Sequence, residues 1–152
     1  MLKQNVPVRA AAQIKGDASH PELSGLITFT QLGRGVLVQA NVCGLPQNGK
    51  GNAVFALHIH EGSQCTGNAE DPFADAGGHY NPGGTMHPYH AGDLPPLFAN
   101  GGCAAMSVIT DRFIVDEINE RTVIVHANPD DFTSPPSGNA GKKIGCGKIF
   151  MR

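Results

Sequence analysis

The chain has 152 residues, which suits a single domain spanning residues 1–152 with an apolar core of its own. The formal net charge is −2 with the histidines neutral, so no global basic field exists and no nucleic-acid partner is expected. No segment is long and apolar enough to cross a membrane as a helix, so no membrane association is expected.

Alternating apolar runs, separated by turn residues, predict eight short β-strands. In chain order they are Val8–Lys15, Gly25–Leu32, Val36–Val42, Ala53–His60, Leu94–Ala99, Ala104–Thr110, Arg121–His126 and Ile144–Phe150. The fifth run contains Pro95 and Pro96 and could only be an edge strand, because proline donates no hydrogen bond to a neighbouring strand. No long segment has helical periodicity with caps. The pattern predicts an all-β fold, an eight-stranded barrel or sandwich.

Two long connections, residues 61–92 and 127–143, lack strand character. Loops of this length in a compact domain are usually functional or disordered. The first carries three of the seven histidines of the chain, which favours a function for it.

Six of the seven histidines fall within about half of the sequence, together with one aspartate that is spaced like a ligand. The candidate ligands are His58, His60, His79, His87, His90, Asp93 and His126. Imidazole nitrogens with one carboxylate suit copper and zinc rather than calcium or magnesium. Residues 58 and 60 of a strand point to the same side and can grip one ion. His20 stands apart beside Pro21 and is interpreted as an ordinary surface residue.

Five motifs carry a resemblance to a known family. They are HIHEGSQC (58–65), GGHYNP (77–82), HAGDLP (90–95), VIVHANPDD (123–131) and SGNAGKKIGCG (137–147). Together they resemble the copper/zinc superoxide dismutases, the bacterial members most closely. The resemblance implies an antiparallel Greek-key barrel, in which the two long loops are functional, and two cofactors, copper and zinc.

The resemblance also assigns roles to individual residues. Copper would be held by His58, His60, His79 and His126, and zinc by His79, His87, His90 and Asp93. His79 would thus be shared by the two ions, and Asp130 would join His58 to His87. Cys65 and Cys146 fall on the family disulfide, which closes a loop of about 80 residues and would stabilise the fold by at most roughly 4.5 kcal/mol.

Two departures from the family pattern bear on activity. Lys143 stands where the family has an arginine beside the copper, so the positive charge is kept and the planar donor fork is lost. We expect lower activity than is typical, with partial compensation by the neighbouring Lys142. His87 and His90 are separated by two residues only, where family members have a longer insert, which makes zinc binding less certain than copper binding.

The four cysteines are in no Cys-x-x-Cys spacing, so a zinc ribbon is not expected. We predict that Cys43 and Cys103, which have no counterparts in the common pattern, form a second disulfide; the alternative is a pair of buried thiols. Disulfides favour an extracytoplasmic compartment, whereas the first residues lack the apolar stretch of a secretion signal. The chain is then either a protein that stays in the cell or a mature form with a start methionine.

The implied activity is dismutation of superoxide, the substrate, to dioxygen and hydrogen peroxide. It needs an ion that cycles between two oxidation states, which copper can do and zinc cannot. The alternative is a protein that stores or delivers copper and zinc on the same fold with little turnover. A third interpretation is a relic that folds around zinc alone. A monomer or a homodimer is expected.

Overall fold

The computed structural model describes residues 6–47 and 53–152, and within these ranges it contains eight β-strands. They are β1 Arg9–Gly16, β2 Ser24–Leu32, β3 Gly35–Cys43, β4 Ala53–His60, β5 Asp93–Ala99, β6 Ala104–Thr110, β7 Thr122–His126 and β8 Lys143–Met151. Each lies within one or two residues of a run predicted from the sequence. The remaining regular elements in the described ranges are two short 3-10 helices, Ala74–Ala76 and Val115–Ile118.

The strands form one antiparallel sheet in the order β5-β4-β7-β8-β1-β2-β3-β6. Pairing of β3 with β6 and of β4 with β7 crosses the chain order, as in a Greek key. The two terminal strands of this order, β5 and β6, lie against each other and nearly close the sheet into a barrel. The predicted all-β Greek-key barrel is confirmed. β5 lies at the end of the order, where its two prolines interrupt no central ladder.

The barrel interior is filled by one large apolar cluster to which all eight strands contribute. Period-two alternation explains the placement: in β3, Val36, Val38, Ala40 and Val42 are buried while their neighbours are partly or fully exposed. In β4 the same alternation sends Ile59 into this core and turns His58 and His60 to the outer side. Two metal-binding side chains therefore project from a rigid strand rather than from a loop.

We call residues 61–92 the histidine loop and residues 127–142 the second loop. Both fold back over the outer side of β4 and β7. A disulfide between Cys65 and Cys146 ties the histidine loop to β8, and Phe73 and Ile124 pack beside it. A second disulfide joins Cys43 to Cys103. Among the residues that the structure describes, no helix has the length and apolar character that spanning a membrane requires.

Candidate metal centre

Four buried histidines from three parts of the chain meet on the outer side of the barrel. His58 and His60 come from β4, His126 ends the adjacent β7, and His79 comes from the histidine loop. We call these four the first cluster. An antiparallel bridge between His60 and His79 anchors the loop residue to the strand. The backbone of the sheet and its network of hydrogen bonds therefore fix most of this cluster.

The ligand atoms of the first cluster converge. His58 Nδ1 lies 3.1 Å from His126 Nε2, and His60 Nε2 lies 3.2 Å from the same atom. One nitrogen from each of the four rings lies within 4.8 Å of the others. Two nitrogens bound to the same tetrahedral ion at 2.0–2.1 Å would be about 3.4 Å apart. The spacing of the rings is therefore that of ligands around a single ion.

A second cluster adjoins the first and contains His79, His87, His90 and Asp93. His79 Nδ1 lies 2.8 Å from Asp93 Oδ1 and 3.3 Å from His90 Nδ1. His87 Nδ1 lies 3.2 Å from Asp93 Oδ2 but makes no hydrogen bond with it. One carboxylate with three imidazoles is a donor set that suits zinc. Although only two residues separate His87 from His90, their ligand atoms lie within 4.8 Å of each other, close enough to bind one ion.

Two buried atoms test whether metal ions fit this arrangement. Among the described residues, the buried side-chain polar atoms without any hydrogen-bond partner are His79 Nε2 and His87 Nδ1. A buried polar atom without a partner costs free energy, so such atoms are rare unless something else satisfies them. His79 Nε2 faces the first cluster and His87 Nδ1 the second. One ion in each cluster would satisfy both atoms, and the residues present fit copper and zinc.

The ring nitrogens that face away from the clusters are held in place by hydrogen bonds. His60 Nδ1 lies 2.8 Å from the carbonyl oxygen of Gly77, and His126 Nδ1 lies 3.3 Å from that of Gly141. A carbonyl oxygen can only accept, so each ring carries its proton on Nδ1 and leaves Nε2 free as a ligand. The glycine-rich segments around residues 77 and 141 thereby determine the tautomers of two ligands.

Asp130 links the two clusters through its two carboxylate oxygens. Oδ2 lies 2.8 Å from His58 Nε2, and Oδ1 lies 2.8 Å from His87 Nε2. Burial raises the pKa of Asp130, but hydrogen bonds from His58, His87 and the Phe132 N–H outweigh burial and lower the pKa to about 2. The carboxylate is therefore ionised at neutral pH and orients one ring of each cluster.

The neighbourhood of Asp130 has room only for a glycine at position 138. Gly138 has φ of +66°, and a Cβ there would lie 2.0 Å from Asp130 Oδ1 and 2.7 Å from His87 Nε2. The sequence interpretation did not single out this residue. Its only signal was its position in the motif Ser-Gly-Asn-Ala-Gly, residues 137–141.

Three histidines of the first cluster, His58, His60 and His126, have a pKa below the usual value of an imidazole. Burial, followed by the proximity of the His58 ring, lowers the pKa of His126 to about 3. Burial likewise lowers the pKa of His60 well below its usual value and, less strongly, that of His58. A neutral imidazole is the form that binds a metal ion, so these three rings need no deprotonation before binding at neutral pH.

A cavity of about 940 Å³ opens onto both clusters and is lined by His60, His79, His90 and His126. Lys143 and Lys142 lie on its wall. Lys143 is the first residue of β8 and pairs across the sheet with His126. Its ammonium does not point free into the cavity, because its Nζ lies 2.6 Å from Asp71 Oδ2. The sequence interpretation missed Asp71.

Two further residues lie in this region, one placed differently from its prediction and one that was not predicted. His20, expected to be an ordinary surface residue, is half-buried, lies 2.7 Å from Asp17 Oδ1 and lines the same cavity. Arg112 was not singled out, yet its Nη1 lies 3.1 Å, 3.2 Å and 3.4 Å from the carbonyl oxygens of Pro88, His90 and Asp93. It thus clamps the backbone that carries the second cluster.

The fold and the two clusters define a dinuclear metalloprotein built on an antiparallel barrel. A family model described as Copper/zinc superoxide dismutase (SODC) matches residues 23–149. The chain is 33% identical over 143 residues to superoxide dismutase Cu-Zn 2 of Aquifex aeolicus, covering 84% of this chain and 80% of that protein. The chain belongs to the copper/zinc superoxide dismutase family, which confirms the resemblance recognised in the sequence.

Two further relatives support the same family. The Cu-Zn superoxide dismutase of Legionella pneumophila is 33% identical over 137 residues, which cover 85% of this chain and 79% of the relative. The extracellular Cu-Zn superoxide dismutase of Rattus norvegicus is 31% identical over 150 residues, which cover 91% of this chain and 59% of the relative. The structure brings all seven predicted ligand residues together in the two clusters. Their assignment to one ion or the other stays a prediction.

Proposed function

We propose that the protein is a superoxide dismutase that converts superoxide to dioxygen and hydrogen peroxide. One observation carries this proposal: a single ring, His79, offers one nitrogen to each of two adjoining clusters. The first cluster, all imidazole, would hold copper, and the second, with Asp93, would hold zinc. When bound, copper supplies one-electron redox chemistry at the cavity, while zinc contributes charge and fixes structure.

The residues around His79 are arranged to hold and release a proton. Its Nδ1 faces Asp93, while its Nε2 faces the first cluster and has no hydrogen-bond partner. When Nε2 is not bound to the ion of the first cluster, it is the atom at which His79 could take up a proton and give it to a reduced substrate in the cavity. Because the ring lines the cavity, it would lie within reach of a substrate there and could deliver that proton.

We further propose that Lys143 attracts the superoxide anion, at a lower rate than an arginine would give. Its ammonium keeps the charge, but it cannot offer two parallel N–H donors to a small anion. If one well-placed charged hydrogen bond is lost, the cost is about 1–3 kcal/mol, or roughly five- to a hundredfold in rate. We expect Lys143→Arg to raise kcat/KM for superoxide within this range, measured by pulse radiolysis. A variant no faster than wild type would contradict this role.

Storage or delivery of copper and zinc is the second candidate function. The ion pair between Lys143 and Asp71 favours it, because the pair weakens the positive field at the cavity. The complete ligand set and the link through Asp130 favour the enzyme.

Metal analysis combined with a superoxide assay separates the two candidates. Purified protein is loaded with copper and zinc, and the metal content is measured by mass spectrometry before the assay. The dismutase proposal expects one copper and one zinc per chain and turnover well above the uncatalysed rate. Full copper loading without turnover would support storage.

Three further aspects are proposals of the same kind. We propose one domain over residues 1–152, supported by the single large apolar cluster of the described residues. We propose an extracytoplasmic location, supported by the two disulfides. For assembly, a monomer or a homodimer is expected, and light scattering at several concentrations would decide between them.

A further inference from the structure

The ion pair between Lys143 and Asp71 places an anion beside the cation expected to attract the substrate. The two charged atoms are 2.6 Å apart. The side chain of Lys143 is 16% exposed and that of Asp71 is 40% exposed. The lysine is thus the more enclosed partner, and its ammonium is held from the solvent side by the carboxylate.

Asp71 is held by its own turn and is not a freely moving surface residue. Its Oδ1 accepts a hydrogen bond of 3.0 Å from the Phe73 N–H, and its backbone N–H donates to Asn68 Oδ1 at 2.9 Å. Its carbonyl oxygen accepts from the N–H groups of Asn68 and Ala74. One carboxylate oxygen therefore belongs to the turn, and the other is left to fix the ammonium.

Both charges belong to the wall of the cavity that opens onto the metal centre. The cavity is lined by Asp71, Lys143 and the ligands His79 and His126. Lys143 also lies directly across the β7–β8 ladder from His126. A carboxylate this close to the ammonium cancels much of its field, because opposite charges side by side act on a distant anion as a dipole.

We propose that Asp71 is a positioning residue that holds the Lys143 ammonium on the cavity wall and weakens its attraction for small anions, superoxide included. The part that concerns superoxide depends on the proposed dismutase function. Asp71 thus sets how strongly, and with what dependence on salt, the centre draws its substrate. Removal of the carboxylate charge leaves Lys143 free to act on the cavity, with Lys142 on the same wall.

The variant Asp71→Asn tests this with little change in shape. Asparagine keeps Oδ1 as an acceptor for the Phe73 N–H, so the turn is retained, while the negative charge is lost. Glu70→Gln is the matched control, because Glu70 is the adjacent residue, lines the same cavity and loses the same charge. No ion pair of Glu70 is present among the described residues. Thermal unfolding of both variants checks that the fold is intact.

The first measurement is the affinity of the copper- and zinc-loaded protein for azide. Azide binding is monitored through the change in the absorption of the copper. Once the carboxylate charge is lost, the Lys143 ammonium can turn towards the bound anion. A gain equal to that of one unit charge at about 8–10 Å changes the affinity roughly two- to fivefold at an effective dielectric constant between that of a protein surface and that of water. We expect Asp71→Asn to bind azide two- to fivefold more tightly, Glu70→Gln to change it by less than half of that, and the gain to shrink at high salt. Equal changes in the two variants would overturn the proposal.

The Lys143→Gln background isolates the pair. If Asp71 acts through Lys143, Asp71→Asn should have only the small effect of Glu70→Gln once the ammonium is gone. An undiminished effect in that background would show that Asp71 acts independently, and the proposal would fail.

A spectroscopic measurement is independent of dismutation. In the reduced, diamagnetic protein loaded with both metals, an ammonium held by a carboxylate exchanges its protons slowly, and its proton–nitrogen NMR signal is visible. We expect a Lys143 signal in the wild type and in Glu70→Gln that disappears in Asp71→Asn. A signal that persists in Asp71→Asn would refute the ion pair as the holding contact. If the NMR signals and the azide affinities of the variants follow these expectations but the wild type shows no turnover, only the dismutase function is refuted.

Discussion

The strongest test of how the two clusters are linked is the substitution of Gly138 by alanine. The new Cβ would lie 2.0 Å from Asp130 Oδ1, whereas carbon and oxygen atoms in contact are about 3.4 Å apart. The carboxylate would have to move by more than an ångström. Oδ1 would then lose its hydrogen bonds from His87 Nε2 at 2.8 Å and from the Phe132 N–H at 2.7 Å.

The magnitude follows from two contributions. A hydrogen bond to a charged group is worth about 1.5–3 kcal/mol, so the loss of two costs about 3–6 kcal/mol. An alanine in the left-handed region, here at φ of +66°, costs about 1–2 kcal/mol more. The total expected loss of unfolding free energy is about 4–8 kcal/mol. Because Asp130 orients a ring in each cluster, affinity for both metals should also fall, by about 10- to 100-fold each.

Gly33→Ala is the control that separates the two contributions. Gly33 has φ of +59°, and no atom lies within 4 Å of the position that an added Cβ would occupy, so alanine there meets the same backbone strain without a collision. The assays are denaturant unfolding with the disulfides intact and metal affinity by competition with a chelator. If Gly138→Ala loses no more stability and no more metal affinity than Gly33→Ala, the argument that Asp130 is held rigidly between the clusters is wrong.

Two further outcomes are expected. Arg112→Gln should lower zinc affinity about tenfold through release of the backbone of the second cluster, with copper affinity nearly unchanged; chelator competition measures both. Arg34→Gln, a change at an exposed arginine in the β2–β3 turn, is its control, and an equal fall for copper and zinc would contradict the clamp. The metal-free protein should lose stability as the pH falls from 6.5 towards about 3, because burial lowers the pKa of His126 from 6.5 to about 3 and only the unfolded chain takes up the proton in that interval. The slope is at most about 1.4 kcal/mol per pH unit for each such histidine. Denaturant unfolding across this range measures it, and a slope as steep in His126→Gln as in the wild type would count against this origin.

The strands were predictable because their signal is local. The alternation of Val36, Val38, Ala40 and Val42 follows from the two-residue period of a strand and needs no knowledge of the rest of the fold. The prolines Pro95 and Pro96 indicated an edge position for the same kind of reason. Strand ends differ by one or two residues, since hydrogen-bond pairing rather than hydrophobicity decides where a ladder stops.

The candidate ligands were also predictable, because His-x-His on a strand and the family motifs are properties of short segments. The residues around them were not. Asp71 is 72 positions from Lys143, and their contact depends on how the histidine loop folds back over β8. Arg112 and Gly138 act through contacts with distant backbone and with Asp130, which exist only once two loops are packed together. Composition and spacing carry no trace of such contacts.

The centre is joined at two points, which determines how its parts respond to change. His79 joins the clusters through its two ring nitrogens, and Asp130 joins them through its two carboxylate oxygens. A displacement of Asp130 must therefore disturb His58 and His87 together, so Gly138→Ala should weaken both metals in parallel. The Arg112 side chain donates hydrogen bonds to the backbone of Pro88, His90 and Asp93, on the side of the second cluster. A loss there should therefore stay on the zinc side. Gly138→Ala should therefore lose affinity for both metals, and Arg112→Gln should lose affinity for zinc alone. Both outcomes follow from these contacts and do not depend on the turnover rate.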